Sequence, residues 1–130
     1  MDIPRIVQDQ IESKIGQQKV ILLYGTRRTG KTTIIEKIIQ KFSSDALLLH
    51  GEDMQISAIL QNRTIANYQQ LTKGKKIIII DEAQAIPEIG KILKLLIDTI
   101  KGITVVATGS SSFDLVNKTG EPLVGRNLAF

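Results

Sequence analysis

Eight consecutive residues have the types and the spacing of a loop that wraps a phosphate group. Gly25 to Thr32 follow the pattern G-x-x-x-x-G-K-[ST]. Such a loop needs glycine because its backbone N–H groups surround the phosphate in conformations that a Cβ atom would block, and Lys31 adds a positive charge. An apolar run, Val20 to Tyr24, precedes the loop and a helical pattern, Thr33 to Phe42, follows it. A glycine-rich turn that contains Lys-Thr by chance is the alternative, and this strand, loop and helix context disfavours it.

A second motif supplies two carboxylates. Ile77 to Ile80 form a run of β-branched residues that is typical of a central strand buried on both faces, and Asp81 and Glu82 follow it directly. In open α/β sheets, ligands bind at the carboxyl ends of the strands. Asp81 is therefore a candidate ligand of Mg²⁺ beside the Thr32 hydroxyl, and Glu82 is placed to polarise a water that attacks a γ-phosphate. Acids also occur at helix starts for reasons of charge alone, so the pair gains its meaning from the phosphate loop.

Size and composition bound the class of protein. The chain has 130 residues, 42% of them hydrophobic and 23% charged, as expected for a single globular domain. It contains no cysteine, which excludes disulfides and thiolate metal sites. No apolar stretch approaches the roughly 18 residues that a membrane span needs. The start, Met1 to Arg5, lacks the build of a secretion signal, so we expect a cytoplasmic protein without a membrane partner.

The net charge permits an anionic partner without requiring one. It is +4, and part of the excess, Arg27 and Arg28, lies in the phosphate loop. The other cations are scattered, and an aromatic content of 4% argues against a platform that stacks single-stranded bases. His50 is the sole histidine and is interpreted as structural, while Ser110 to Ser112 lack the pattern of a serine hydrolase.

Hydrophobic periodicity predicts strands that alternate with helices, which implies parallel βα units. The predicted helices cover residues 2–15, 33–42 and 89–100, with two short ones between 54 and 71, and the predicted strands cover 20–24, 46–50, 77–80 and 103–107. Asn127 to Phe130 begins what reads as one more strand. We therefore expect residues 1–130 to form one domain, the N-terminal part of a longer protein.

Four stretches of the chain resemble one known family. They are Gly25 to Thr33, Asp81-Glu82-Ala83-Gln84 with Pro87, Thr108 to Ser112, and Leu123-Val124-Gly125-Arg126. Together they resemble the prokaryotic predicted ATPases of the AAA+ superfamily, a branch of P-loop ATPases in which the catalytic glutamate follows the Mg²⁺-binding aspartate. The resemblance covers nearly the whole chain, and its last two stretches are the more specific part. In that family such a core usually precedes a C-terminal domain of unassigned function.

The resemblance implies the three-layer α/β fold of P-loop NTPases, with a central, mostly parallel sheet that the chain could truncate before its last strand. It implies that Lys31 and Thr32 bind phosphate and Mg²⁺, that Asp81 binds Mg²⁺, and that Glu82 is the general base. The residues expected to bind ATP are Gly25, Thr26, Arg27, Arg28, Thr29, Gly30, Lys31, Thr32 and Thr33.

Two further roles follow from the resemblance. Ser110, or alternatively Thr108, would hold the sensor position that reads the γ-phosphate. Arg126 would act as an arginine finger or sensor that stabilises charge on the transferring phosphoryl group.

Three functions remain in competition at this stage. The first is Mg-dependent ATP hydrolysis coupled to a conformational or partner-remodelling task. The second is a nucleotide-dependent binding switch with little turnover. The third is a motor on DNA or RNA, suggested by the likeness of the Asp81 to Gln84 string to helicase motifs, although stacking aromatics are few. The sequence identifies neither a protein nor a nucleic-acid partner, and it leaves a homo-oligomer open.

Overall fold

A computed structural model of the chain describes residues 9, 11–13, 15, 17–24, 31–109 and 125–129. For residues 24, 31, 32 and 125–129 the description is of the backbone alone. The strands are β1 (Val20–Tyr24), β2 (Ala46–His50), β3 (Ile77–Asp81), β4 (Thr104–Gly109) and β5 (Gly125–Ala129). The helices are α1 (Lys31–Phe42), α2 (Met54–Gln61), α3 (Ile65–Leu71) and α4 (Ile89–Thr99), with short 3-10 turns at Ser43–Asp45 and Ala83–Ala85.

The strands form one parallel sheet in the order β2-β3-β4-β1-β5. The order differs from the chain order, and each parallel connection crosses over through a helix or a long segment. All carboxyl ends therefore meet at one edge of the sheet, where Tyr24 of β1 pairs with Gly109 of β4.

The central strand β3 is buried on both faces, as its isoleucine run predicts. Ile77, Ile78, Ile79 and Ile80 are each 0% exposed. Because side chains alternate along a strand, Ile78 and Ile80 join the hydrophobic cluster on one face, and Ile77 and Ile79 join the cluster on the other.

The first face of the sheet is covered by α2, α3 and α4. Helix α4 presents a continuous apolar stripe to the sheet, in which Ile89, Ile92, Leu93 and Leu96 are fully buried. The two short helices begin at side-chain caps: the carboxylate of Asp53 accepts from the backbone N–H of Gln55, and the Thr64 hydroxyl oxygen accepts from that of Asn67. These caps compensate for the brevity of α2 and α3, whose periodicity in the sequence is weak.

The second face is covered by α1 together with part of the N-terminal segment. Ile34, Ile35 and Ile38 of α1 are buried there, next to Ile11. Residues 9, 11 and 12 are helical, in agreement with the helix predicted over 2–15, whereas residues 13 and 15 lie in turns. The other residues of the predicted helix lie outside the described part of the chain. Helices on both faces of a parallel sheet make the three layers of the predicted α/β fold.

The predicted strands and the predicted helices after residue 30 are confirmed, with small shifts at their ends. Helix α1 begins at Lys31 rather than at Thr33, β4 runs to Gly109, and the last strand begins at Gly125 and pairs with β1 at the edge of the sheet. Among the described residues, no helix combines the length and the apolar character needed to cross a membrane.

We predict that Ile79→Asp unfolds the domain. Ile79 is 0% exposed, and an unpaired carboxylate there costs several kcal/mol in desolvation, a large part of the roughly 5–15 kcal/mol that stabilises a typical domain. Thermal melting followed by circular dichroism measures the effect. Ile59→Asp is the matched control because Ile59 is 40% exposed, and it should melt cooperatively close to wild type. A folded Ile79→Asp variant with the wild-type melting temperature would contradict the assignment of β3 as core.

Candidate functional site

The carboxyl edge of the sheet contains the end of the strand that precedes the phosphate-loop motif and the end of the strand that carries Asp81. Strand β4 lies between β1, which leads into the phosphate loop, and β3, which ends at Asp81. Residues 25–30 of the loop lie outside the described part of the chain, and the backbone resumes at Lys31 as the first residue of α1. The strand and the helix that the phosphate-loop motif requires are therefore both present at its flanks.

Asp81 is oriented by a buried threonine of the neighbouring strand. The Thr108 hydroxyl donates to Asp81 Oδ1 at 2.6 Å, and Thr108 is 0% exposed. The Asp81 side chain is 30% exposed, and its Oδ2 lies 3.7 Å from Nδ1 of His50, beyond hydrogen-bond distance. One oxygen of the carboxylate is thus fixed from inside the sheet, while the side chain keeps access to the edge.

Glu82 leaves the strand in a left-handed backbone conformation, with φ 51° and ψ 50°. This conformation is uncommon for a residue with a side chain and costs about 1–2 kcal/mol. The backbone N–H of Glu82 donates to the same Thr108 hydroxyl oxygen, at 3.1 Å. Thr108 therefore holds the carboxylate of Asp81 and the backbone of Glu82 at once. The sequence pattern predicts the two acids at the strand end but contains no signal for this turn.

Gly51 packs against the outside of the same turn. Its N–H donates to the carbonyl oxygen of Asp81 at 2.6 Å. A Cβ atom added to Gly51 would lie 2.8 Å from that oxygen and closer still to the carbonyl oxygen of Glu82. Both obstacles are backbone atoms that cannot rotate away, so only glycine fits here. The signal in the sequence is a glycine directly after a strand that ends at the ligand edge.

Gln84 contacts the carboxylate of Glu82. Its Nε2 donates to Glu82 Oε2 at 2.6 Å. The other end of the amide, Oε1, is buried and accepts no hydrogen bond within the described part of the chain. A buried acceptor without a partner costs about 1–3 kcal/mol. In the sequence, Gln84 stands out only as the last residue of the string Asp81 to Gln84, and its contact with Glu82 cannot be inferred from that string.

Other predicted site residues are placed only in part. Ser110 lies outside the described residues, and Lys31 and Thr32 are described through their backbone at the start of α1. The backbone of Arg126 pairs with Ile21 in the register between β5 and β1, about 10 Å before the carboxyl end of β1 along an extended strand. Their catalytic and binding roles stay predictions.

The donor chemistry at Asp81 suits Mg²⁺. This ion prefers oxygen ligands and is usually held by one or two carboxylates together with substrate phosphates and waters. Asp81 offers a partly exposed carboxylate whose Oδ1 is already oriented by Thr108. It is thus a suitable protein ligand for an ion that a nucleotide brings with it.

Comparison with known proteins agrees with this architecture. A family model described as an AAA domain matches residues 17–130. The chain belongs to the AAA domain family. The family is that of AAA-type P-loop ATPase-like domains, so the resemblance noted from the motifs is confirmed, and membership implies nucleotide binding.

Relatives of this AAA domain occur in archaea and bacteria. This chain is 31% identical over 127 residues to the uncharacterized protein MJ1544 of Methanocaldococcus jannaschii. The aligned region covers 95% of this chain and 28% of that protein. This chain is also 33% identical over 118 residues to the uncharacterized protein Rv2008c of Mycobacterium tuberculosis. That aligned region covers 90% of this chain and 25% of the relative. The chain thus spans about a quarter of the length of these relatives.

We predict that Thr108→Val destabilises the domain by about 1–3 kcal/mol, because the backbone N–H of Glu82 loses its acceptor and Asp81 loses its donor. Chemical denaturation measures the free energy of unfolding. Thr108→Ser keeps the hydroxyl and should lose less stability than the valine variant. Equal stability of wild type and Thr108→Val would show that the hydroxyl does not hold the turn.

Proposed function

We propose that this AAA domain binds Mg-ATP and hydrolyses it, and that hydrolysis drives a conformational change or the remodelling of a partner. The observation that carries the proposal is the turn at Asp81 and Glu82, fixed from the sheet side by Thr108 and from the outside by Gly51. Catalytic groups that are held rigidly need no reorganisation when charge develops in the transition state.

The two acids would have different roles, one in binding the metal ion and the other in activating the attacking water. Asp81, with Oδ1 held by the Thr108 hydroxyl, would be the ligand of Mg²⁺, and the bound ion would neutralise charge on the phosphates. Glu82 would accept a proton from the attacking water, or orient that water toward the γ-phosphate. The left-handed turn supports this division because it redirects the backbone between the two side chains.

The phosphate loop supplies the binding part of the proposal. Backbone N–H groups of residues 25–30 and the amino end of α1 would surround the phosphates, with Lys31 as the cation and the Thr32 hydroxyl as a second protein ligand of Mg²⁺. Ser110 would read the γ-phosphate from the segment that follows β4. Arg126 would stabilise charge in the transition state, in its own site or in that of a neighbouring copy.

The contacts of Thr108 favour a positioning role over that of a residue that reads the γ-phosphate. Its hydroxyl has a single proton, which it donates to Asp81, and its oxygen accepts from Glu82. This pairing supports Ser110 rather than Thr108 as the sensor, with Thr108 orienting the two acids.

We predict that Glu82→Gln keeps Mg-ATP affinity near or above wild type and slows hydrolysis by on the order of a hundredfold or more, since the amide cannot accept the proton of the attacking water. Calorimetric titration gives the affinity, and phosphate release under saturating Mg-ATP gives the turnover. Glu36→Gln, an exposed acid on α1, is the matched control and should behave as wild type.

The same measurements separate hydrolase from switch. Wild-type turnover by the Glu82→Gln variant would remove Glu82 from the reaction. Tight binding of Mg-ATP by the wild type without measurable phosphate release would favour the nucleotide-dependent binding switch instead.

We also predict that Lys31→Ala weakens Mg-ATP binding about tenfold or more and leaves the melting temperature of the nucleotide-free domain unchanged, because the side chain supplies charge to the phosphates. Lys37→Ala, at an exposed position of the same helix, tests for a general effect of lost charge and should bind as wild type. An unchanged affinity of Lys31→Ala would contradict the assignment of the phosphate loop.

A further inference from the structure

The 3-10 turn that follows Glu82 is anchored firmly in the core. Ala83 and Ile86 are both 0% exposed and belong to the hydrophobic cluster under α4. The N–H of Ala85 donates to the carbonyl oxygen of Glu82, and that of Ile86 donates to the carbonyl oxygen of Ala83. The backbone of Gln84 therefore has a fixed position relative to Glu82, and the torsions of the two side chains decide whether the contact between them forms.

The contact also fixes which way the Gln84 amide points. Nε2 lies 2.6 Å from Glu82 Oε2, and the opposite orientation would place the carbonyl oxygen of the amide against a carboxylate oxygen. The observed orientation leaves Gln84 Oε1 buried without a hydrogen bond in the part of the chain that the structure describes. The amide thus donates to Glu82 even though its own oxygen has no partner among the described residues.

A group that lowers stability at a functional site is a candidate for a functional role. We infer that Gln84 is a positioning residue for ATP hydrolysis, which holds the Glu82 carboxylate by Oε2 in the orientation that receives the attacking water. This inference rests on the proposed function, because it assigns Gln84 a task only through Glu82.

The substitution Gln84→Met distinguishes positioning from a purely structural role. Methionine has a similar length, removes the donor to Glu82 and also removes the unpartnered oxygen. We expect kcat for Mg-ATP to fall about tenfold or more, KM to stay within about twofold, and the melting temperature to equal or exceed that of the wild type. A purely structural residue would instead show a lower melting temperature.

The matched control is Gln61→Met. The Nε2 of Gln61 donates to the Ser57 hydroxyl oxygen on an exposed part of α2. Gln61→Met therefore makes the same glutamine-to-methionine change, and removes the same kind of donor, at a position that does not contact Asp81 or Glu82. This variant should keep the kcat and KM of the wild type.

A double substitution tests whether Gln84 acts through Glu82. In the Glu82→Gln background, Gln84→Met should cause no further loss of turnover, because the carboxylate that it positions is already absent. A full additional loss of about tenfold would overturn the inference, as would a wild-type kcat, or a raised one, in Gln84→Met alone.

Failure of the inference and failure of the proposed function give different results. If the wild-type chain releases no phosphate from Mg-ATP, the proposed function fails and the inference fails with it. If the wild type hydrolyses ATP and Glu82→Gln is slow while Gln84→Met matches the wild type, the proposed function stands and the inference alone is wrong.

Discussion

A strand of four consecutive isoleucines must be covered on both faces, and this requirement organises the rest of the fold. Burying one such side chain contributes about 1.5–3 kcal/mol, so leaving either face of Ile77 to Ile80 open would be costly. Strands β2 and β4 satisfy the backbone on the two edges of β3, while the helices cover its faces. Asp81 directly follows the four isoleucines and is the last residue of the strand. Its carboxylate therefore lies at the carboxyl edge of the sheet, where ligands bind in open α/β sheets.

The turn at that edge illustrates how several small interactions offset a local cost. Glu82 adopts a left-handed conformation, and Thr108 and Gly51 each satisfy a backbone group of the turn from a different strand end. Net contributions of about 0.5–1.5 kcal/mol for each hydrogen bond are comparable to the conformational cost of the turn. Its geometry therefore depends on the register of β2, β3 and β4 and not on local preference.

This dependence explains which parts of the molecule could be predicted from sequence. The strands and long helices follow from β-branched runs and helical periodicity, which are local properties. The position of the acid pair follows from the apolar run before it, and the structure confirms that β3 ends at Asp81. The interpretation of residues 25–32 as a phosphate loop follows from their spacing and stays a prediction, since residues 25–30 lie outside the described part of the chain. The contacts of Thr108 with Asp81 and Glu82 join residues that are 27 and 26 positions apart in the sequence. The residues next to either acid contain no pattern that predicts these contacts. The same holds for Gly51, whose constraint arises from the backbone of a neighbouring strand.

Two locally unfavourable features of the structure involve the same residue, Glu82. Glu82 has the left-handed backbone conformation, and its carboxylate accepts a hydrogen bond from the Gln84 amide. In making that bond, Gln84 keeps its amide oxygen buried, without a partner among the described residues. A turn shaped for stability alone could relieve both, with glycine at the left-handed position and an apolar side chain in place of the amide. Conflicts between local preference and fold collect where a side chain is needed for its chemistry. Their coincidence at the acid that follows Asp81 supports the proposal that Glu82 carries this chemistry.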